Sequence, residues 1–204
     1  EFDCYRILAE LLIDVLRQLS QFDCYLALPH IRLIHAKVDS IKTELKRRVQ
    51  WSVREMGQLV YGDSEVNPNS PGPDTDIDME NLGQMYLVVD ALGLAFQKDL
   101  SERIAQLQLI PYENAFKFGT KHCGTDFIEK RFVWFRTLLK VFDDKLGQVF
   151  PKKWCLPQYL FLEFSRRTKK HISDYLASQE KVEMDMQDRV SNMLLSLKHL
   201  ISFE

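Results

Sequence analysis

The sequence predicts an all-α protein whose long helices form an elongated bundle or rod. Three observations carry this reading. Helix breakers are few, with 8 Gly and 7 Pro in 204 residues, and Pro68, Pro71 and Pro73 crowd into one stretch. Elsewhere apolar residues recur every three or four positions, the period of a helix face. No segment alternates convincingly between apolar and polar residues, as a half-buried strand does.

The elements follow in order. Ile7, Leu8, Leu11, Leu12, Val15, Leu16 and Leu19 make one wide apolar stripe, with a break at Ser20 to Asp23. Ile31, Ile34, Val38, Ile41 and Leu45 then alternate steps of three and four. That spacing is the seam of a coiled coil or of a packed bundle helix. Lys37, Asp39, Lys42, Glu44 and Lys46 border it. Such a seam calls for a partner helix, from the same chain or from another subunit, because otherwise a continuous apolar stripe faces water. Residues 62–78 are polar and proline-rich and carry an acidic run, Asp74, Asp76 and Asp78. They read as a flexible loop between N-terminal helices (1–61) and a helical bundle (79–204).

Beyond the loop, Leu82, Met85, Tyr86, Val89 and Leu92 open a helical pattern. It continues through Leu100, Ile104, Leu107 and Ile110, with Asp99 or Ser101 as a candidate cap. Pro111 opens a short segment that ends near Gly119. A long helix is expected from about Thr125 to Val149, with Ile128, Phe132, Phe135, Leu138, Leu139 and Phe142 inward, stopped by Phe150-Pro151. Pro157 suits the first turn of the next helix, which carries Leu160, Phe161, Phe164, Ile172, Tyr175 and Leu176. A final stripe runs through Met186, Val190, Met193, Leu197 and Leu200.

Composition narrows the function classes. Lys and Arg number 27 against 29 Asp and Glu, so no global basic field recruits nucleic acid. No apolar run approaches the roughly 20 residues of a membrane span. The chain begins at Glu1, so it reads as an excerpt of a longer protein. Cys4, Cys24, Cys123 and Cys155 form no CxxC pair and read as reduced thiols of a cytosolic protein.

The chemical motifs are weak. Asp74 to Asp78 resembles the start of a calcium loop, but the sixth and twelfth positions from Asp74 hold Met79 and Met85, so the sharp turn and the bidentate ligand are missing. His122, Cys123 and Cys155 match no zinc spacing, and Cys155 reads instead as a small buried hydrophobe. No phosphate-binding, nucleophile-elbow or zinc-protease motif occurs. These readings point away from an enzyme, a cofactor or a metal site. Arg166, Arg167, Lys169 and Lys170 form the densest basic run: either a solvated helix face or a contact for an acidic partner or anionic lipid.

The most distinctive stretch runs from Arg131 to Thr168. Trp134, Gly147, Phe150-Pro151, Trp154-Cys155 and Glu163-Phe164 follow the order G-x-x-F-P-x-x-W-C and then E-F. This pattern resembles the vacuolar protein sorting fifty-three subunit family of the Golgi-associated retrograde protein (GARP) tethering complex and its endosomal relative (EARP). Arg131, Trp134 and Arg136 match the start of the family pattern loosely. Ser165 stands where the family pattern has cysteine, and the chain reads as a divergent member.

The resemblance implies a non-enzymatic subunit of the helical-rod tethering (CATCHR) type, joined to other subunits through N-terminal coiled coils. It implies capture of endosome-derived vesicles at the cytoplasmic face of the trans-Golgi network, with SNAREs and a small GTPase as further partners. Membrane association would be peripheral, through the complex. A stand-alone helical adaptor that binds a small GTPase or an anionic membrane surface is the competing expectation.

Overall fold

The computed structural model describes residues 4–56, 79–147, 149–179 and 194. Those residues form seven α-helices and no strand. They are α1 (Cys4–Ser20), α2 (Pro29–Met56), α3 (Met79–Leu92), α4 (Leu94–Gln108), α5 (Ile110–Phe116), α6 (Ile128–Leu146) and α7 (Leu156–Gln179). The expected loop at 62–78, with its calcium-like opening, and the stripe from Met186 to Leu200 lie outside the described residues.

The apolar stripe of α1 lies along α3, with Ala9 and Leu12 buried. A 3-10 turn at Asp23–Tyr25 separates α1 from α2. Pro29 opens α2 at the position where its missing N–H costs nothing. No Gly and no further Pro follow in the helix, so it runs on for 28 residues.

Beyond residue 79 the break between helices does not fall at Asp99 or Ser101. It falls at Gly93, whose φ of 99° places it in the left-handed region, and Gly93 takes the N-cap position of α4. Asp99 and Ser101 lie inside α4 instead. Ser101 Oγ donates to the Gln97 carbonyl at 2.9 Å, and Asp99 accepts from Arg103 at 3.0 Å. Glycine lacks the Cβ that penalises this backbone conformation, so the chain turns there and not at a hydrogen-bonding cap.

The helix expected from Thr125 to Val149 is also shorter. Thr125–Phe127 is a 3-10 turn, and α6 ends at Leu146. The N–H groups of Val149 and Phe150 both donate to the Leu146 carbonyl, at 3.0 and 3.3 Å, which closes the helix end. Pro151 is then extended, Lys152–Trp154 forms a 3-10 turn, and Cys155 adopts a left-handed φ of 51°. Cys155 is exposed there, contrary to its reading as a small buried hydrophobe, because this backbone turn directs its short side chain away from the core.

The core sits mainly among α4 to α7, with Val49 and Val53 of α2 and Met85 and Val89 of α3 packed into it. Phe135 stacks on Phe164 with ring centres 4.2 Å apart, and Tyr112 lies 5.1 to 5.2 Å from Phe116, Trp134 and Phe164. Leu100, Leu109, Leu138 and Leu160 are fully buried around these rings. Burial of each such side chain is worth about 1.5–3 kcal/mol.

Candidate subunit interface and the buried arginine beneath the family motif

Arg131 opens the motif and is wholly buried. Its Nη1 donates to Tyr112 Oη at 2.9 Å and faces His171 Nδ1 at 3.3 Å. Its Nη2 donates to the carbonyls of Phe116 (3.0 Å), His122 (3.3 Å) and Cys123 (3.0 Å). The guanidinium also lies 4.9 Å from the centre of the Phe116 ring. A guanidinium only donates, so His171 Nδ1 must accept. The imidazole proton then sits on Nε2, 3.1 Å from Glu113 Oε2. Burial pushes His171 below its ordinary pKa; Glu113 opposes that shift and Arg131 adds to it. Burial likewise pushes the Tyr112 hydroxyl up. The hydroxyl pairs with Thr168 Oγ1 at 2.6 Å.

This cluster ties α5, the following loop, α6 and α7 around one cation. His122 and Cys123, weighed above as metal ligands, serve it through their backbone carbonyls. A charged residue is read from sequence as a surface group, so the burial of Arg131 was not visible there. The one available signal is its place at the head of an aromatic-rich helix.

Most other motif residues are packing groups. Trp134, Phe150, Trp154 and Phe164 are buried. Trp154 Nε1 donates to Asp90 Oδ1 at 3.2 Å, which ties the Phe150–Pro151 corner to α3. Gly147 is needed for space: an added Cβ would lie 2.5 Å from the Asp143 carbonyl oxygen.

Glu163 organises half of the basic run. It accepts from Arg166 at 2.8 Å and from Arg167 at 2.7 Å. Burial works to raise the Glu163 pKa, but the two arginines outweigh it and hold the carboxyl below its ordinary range. Arg167 also donates to the carbonyls of Leu109 (2.7 Å) and Gln106 (3.1 Å), capping the end of α4. Lys169 and Lys170 remain exposed.

The candidate partner seam divides. Val38 is buried, while Ile31 and Leu45 are half-buried. Ile34 and Ile41 are 48% and 54% exposed. The inward face of α2 is rotated toward Val38, Leu45, Val49 and Val53, with the ring of His35 and the stem of Lys42 beside them. Ile34 and Ile41 are therefore uncovered, as are Ile7, Leu11 and Val15 on α1 and Phe22, Tyr25 and Leu28 around the connecting turn. Single exposed apolar residues are ordinary, and here α1, the turn and the first half of α2 each carry several.

Comparisons with known proteins agree with the motif. The family model described as "Vps53, N-terminal" matches residues 3–204. Vacuolar protein sorting-associated protein 53 A of Arabidopsis thaliana is 25% identical over 194 residues, covering 94% of this chain and 21% of that protein. Vacuolar protein sorting-associated protein 53 B of the same plant is 26% identical over 187 residues, covering 91% of this chain and 29% of that protein. The chain thus spans less than a third of the length of these relatives. No solved structure matches it. With the family model matched along nearly its whole length, the chain belongs to the Vps53, N-terminal family.

Proposed function

We propose that this chain is a non-enzymatic scaffolding part of a vesicle-tethering subunit acting in endosome-to-Golgi retrograde transport, within a GARP or EARP complex. Membership of the Vps53, N-terminal family carries the reading. The uncovered apolar groups of α1 and α2 supply its physical means, because helices with one unburied apolar side associate by packing those sides together. Other subunits of the complex are the proposed partners on this surface, with SNAREs and a small GTPase as further ones. No described helix is long and apolar enough to cross a membrane. Membrane contact is accordingly proposed to be peripheral, through the complex, at the cytoplasmic face of the trans-Golgi network and endosomes.

A stand-alone adaptor for a small GTPase or an anionic membrane is placed second, because Glu163 already engages both Arg166 and Arg167. Affinity purification of the tagged full-length protein from cells, followed by mass spectrometry, tests the proposal. Recovery of three other tethering subunits is the expected result. Recovery of a GTPase alone, or liposome binding without other subunits, would replace this reading with the adaptor.

A further inference from the structure

We infer that the elbow between α1 and α2 inserts its apolar side chains into the surface of an anionic bilayer. The inference adds a direct contact to the peripheral attachment proposed above and leaves Ile7, Leu11, Val15, Ile34 and Ile41 to the subunit contact. Helix connections are ordinarily built from small polar residues, glycine and proline. This one holds Phe22, Tyr25, Leu26 and Leu28, each between 42% and 55% exposed. Every residue from Ser20 to His30 is exposed, so no described part of the chain covers the elbow. Leu33, likewise uncovered, carries the apolar run onto α2.

The elbow already engages much of its own backbone. The N–H groups of Phe22, Tyr25, Leu28 and Arg32 donate to the carbonyls of Leu19, Phe22, Tyr25 and Leu28, at 2.9 to 3.1 Å. Ser20 Oγ donates to the Arg17 carbonyl at 2.8 Å. Backbone groups bonded within a segment can enter an apolar medium, whereas free ones are kept out of it. A partner that adds a strand needs free backbone donors, and a partner helix needs a stripe or groove to lie in. The elbow offers neither, because its apolar groups stand on successive tight turns.

The charges beside the elbow select an anionic surface. Between Val15 and Val38 the only carboxylate is Asp23, which lies 3.7 Å from His35 Nε2. The next ones outward are taken up: Asp14 pairs with Arg17 at 3.2 Å and Asp39 with Lys42 at 2.9 Å. Arg32 and Lys37 make no ion pair among the described residues. Arg32 stands one helical turn from Leu28, whose carbonyl accepts its N–H. Arg32, Leu33, Ala36 and Lys37 are all exposed, and their spacing places them on one side of α2. Two uncommitted cations thus border the apolar run. Long cationic side chains lay their stems along apolar surface and extend their charged ends to lipid phosphates. Phenylalanine, tyrosine and leucine beside such cations compose a segment suited to the boundary between headgroups and acyl chains.

A dye placed on the elbow tests the inference. The chain is held on vesicles through a histidine tag and a nickel-chelating lipid, so that even a weak contact is read. With Cys4→Ser, Cys123→Ser and Cys155→Ser, a nitrobenzoxadiazole dye on Cys24 reports from the elbow. A second chain that keeps only Cys155 reports from the body; both cysteines are exposed. On phosphatidylserine vesicles the Cys24 dye should brighten, shift to the blue and be quenched by spin-labelled lipid, while the Cys155 dye should not change. The response should be smaller on phosphatidylcholine and fall as salt is raised. Tyr25→Asp/Leu28→Asp should lose the response and keep the parent's circular dichroism and melt, because both side chains are more than half exposed. Arg32→Gln/Lys37→Gln should lower the phosphatidylserine response to the phosphatidylcholine level. Recovery of the other subunits from cells is read separately, so the tethering reading and the membrane contact can each fail alone. No response at Cys24, an equal response at Cys155, equal responses on the two lipids, or a Tyr25→Asp/Leu28→Asp variant that responds as the parent does would overturn the inference. So would a Cys24 dye that ignores vesicles and responds to the other subunits, which would make the elbow a protein contact.

Discussion

The two ends of the described chain put the same kinds of residue to different use. From α4 to α7, aromatic and leucine side chains close on one another, and even a full positive charge, Arg131, is taken inside, with both terminal nitrogens hydrogen-bonded and only Nε left without a partner. In α1 and the first half of α2, only Ala9, Leu12 and Val38 are buried, while Ile7, Leu11, Val15, Ile34 and Ile41 stay uncovered. Both regions have apolar stripes of helical period. The difference lies in what covers them. The C-terminal body, joined by Val49, Val53, Met85 and Val89, closes a core, whereas α1 and the first half of α2 are covered on one side and keep apolar groups uncovered on the other. Stability should therefore reside in the body and association in the pair, and substitutions can separate the two.

The largest effect is expected at Arg131. Arg131→Met keeps much of the volume but removes every hydrogen bond from the guanidinium. The carbonyls of Phe116, His122 and Cys123 and the hydroxyl of Tyr112 then lose a buried donor. An unsatisfied buried polar group costs about 1–3 kcal/mol, so a loss of roughly 3–5 kcal/mol or failure to fold is expected in urea melts. A loss under about 1 kcal/mol would mean that the aromatic packing alone holds the body.

Gly147→Ala comes next. Its added methyl would meet the Asp143 carbonyl oxygen and side chain at 2.5 and 2.6 Å, so the end of α6 must shift. Overpacking of this kind costs about 1–3 kcal/mol. A thermal melt should fall by several degrees. An unchanged melt would show that the Phe150–Pro151 corner tolerates displacement, and the body would be less tightly specified than its burial indicates.

Much of this contrast was legible in the sequence, and the exceptions have physical causes. The stripe of α1, the aromatic face of α6 and the proline corner stand out because period and breakers are local signals. The break at Gly93 was hidden, since a lone glycine inside an apolar pattern reads as a tolerated interruption. The facing of α2 was hidden as well. Ile31, Val38 and Leu45 lie on one side of the seam and Ile34 and Ile41 on the other, and spacing alone does not say which side a neighbour covers. Lys42 lies near the covered side because its ammonium reaches outward along its stem to Asp39, whereas the ring of His35 is covered, with Nε2 buried 3.7 Å from Asp23 Oδ1. Arg131 was recognisable as a motif residue but not as a buried one, because its partners are backbone carbonyls and residues 15 to 40 positions away or closer in the loop before it.

A smaller effect, with a defined sign, belongs to pH. Burial lowers the pKa of His171 from its ordinary 6.5, with Arg131 lowering it further and Glu113 and Asp174 opposing. The unfolded chain therefore takes up this proton at a higher pH than the folded chain does. Stability from the neutral imidazole is fully present above about 6.5 and is lost as pH falls through the folded value. Glu163 is likewise lowered, from 4.5, so its contribution is lost only at more acidic pH. Urea midpoints should decline between pH 7 and 5, and His171→Gln, whose amide oxygen can still accept from Arg131, should flatten that decline. An identical slope in the variant would move the titration to another group.

The smallest effect on stability should accompany the largest effect on association. Ile34→Asp and Ile41→Asp place carboxylates where the parent side chains are already about half exposed. No charge has to be buried, so each substitution should change stability by no more than about 0.5 kcal/mol. Val38→Asp, one turn away on the covered side, is the internal control. It places a carboxylate at a site 7% exposed and should lower the melt clearly, because an unpaired buried charge is costly. If the uncovered side is the subunit contact, the Ile34→Asp/Ile41→Asp double variant keeps the parent's circular dichroism and melt but no longer co-purifies with partner subunits. A double variant that unfolds would show that the chain's own residues cover these two side chains. A double variant that keeps both fold and partners would show that the stripe faces only solvent, and the division between a stable body and an associating pair would fail.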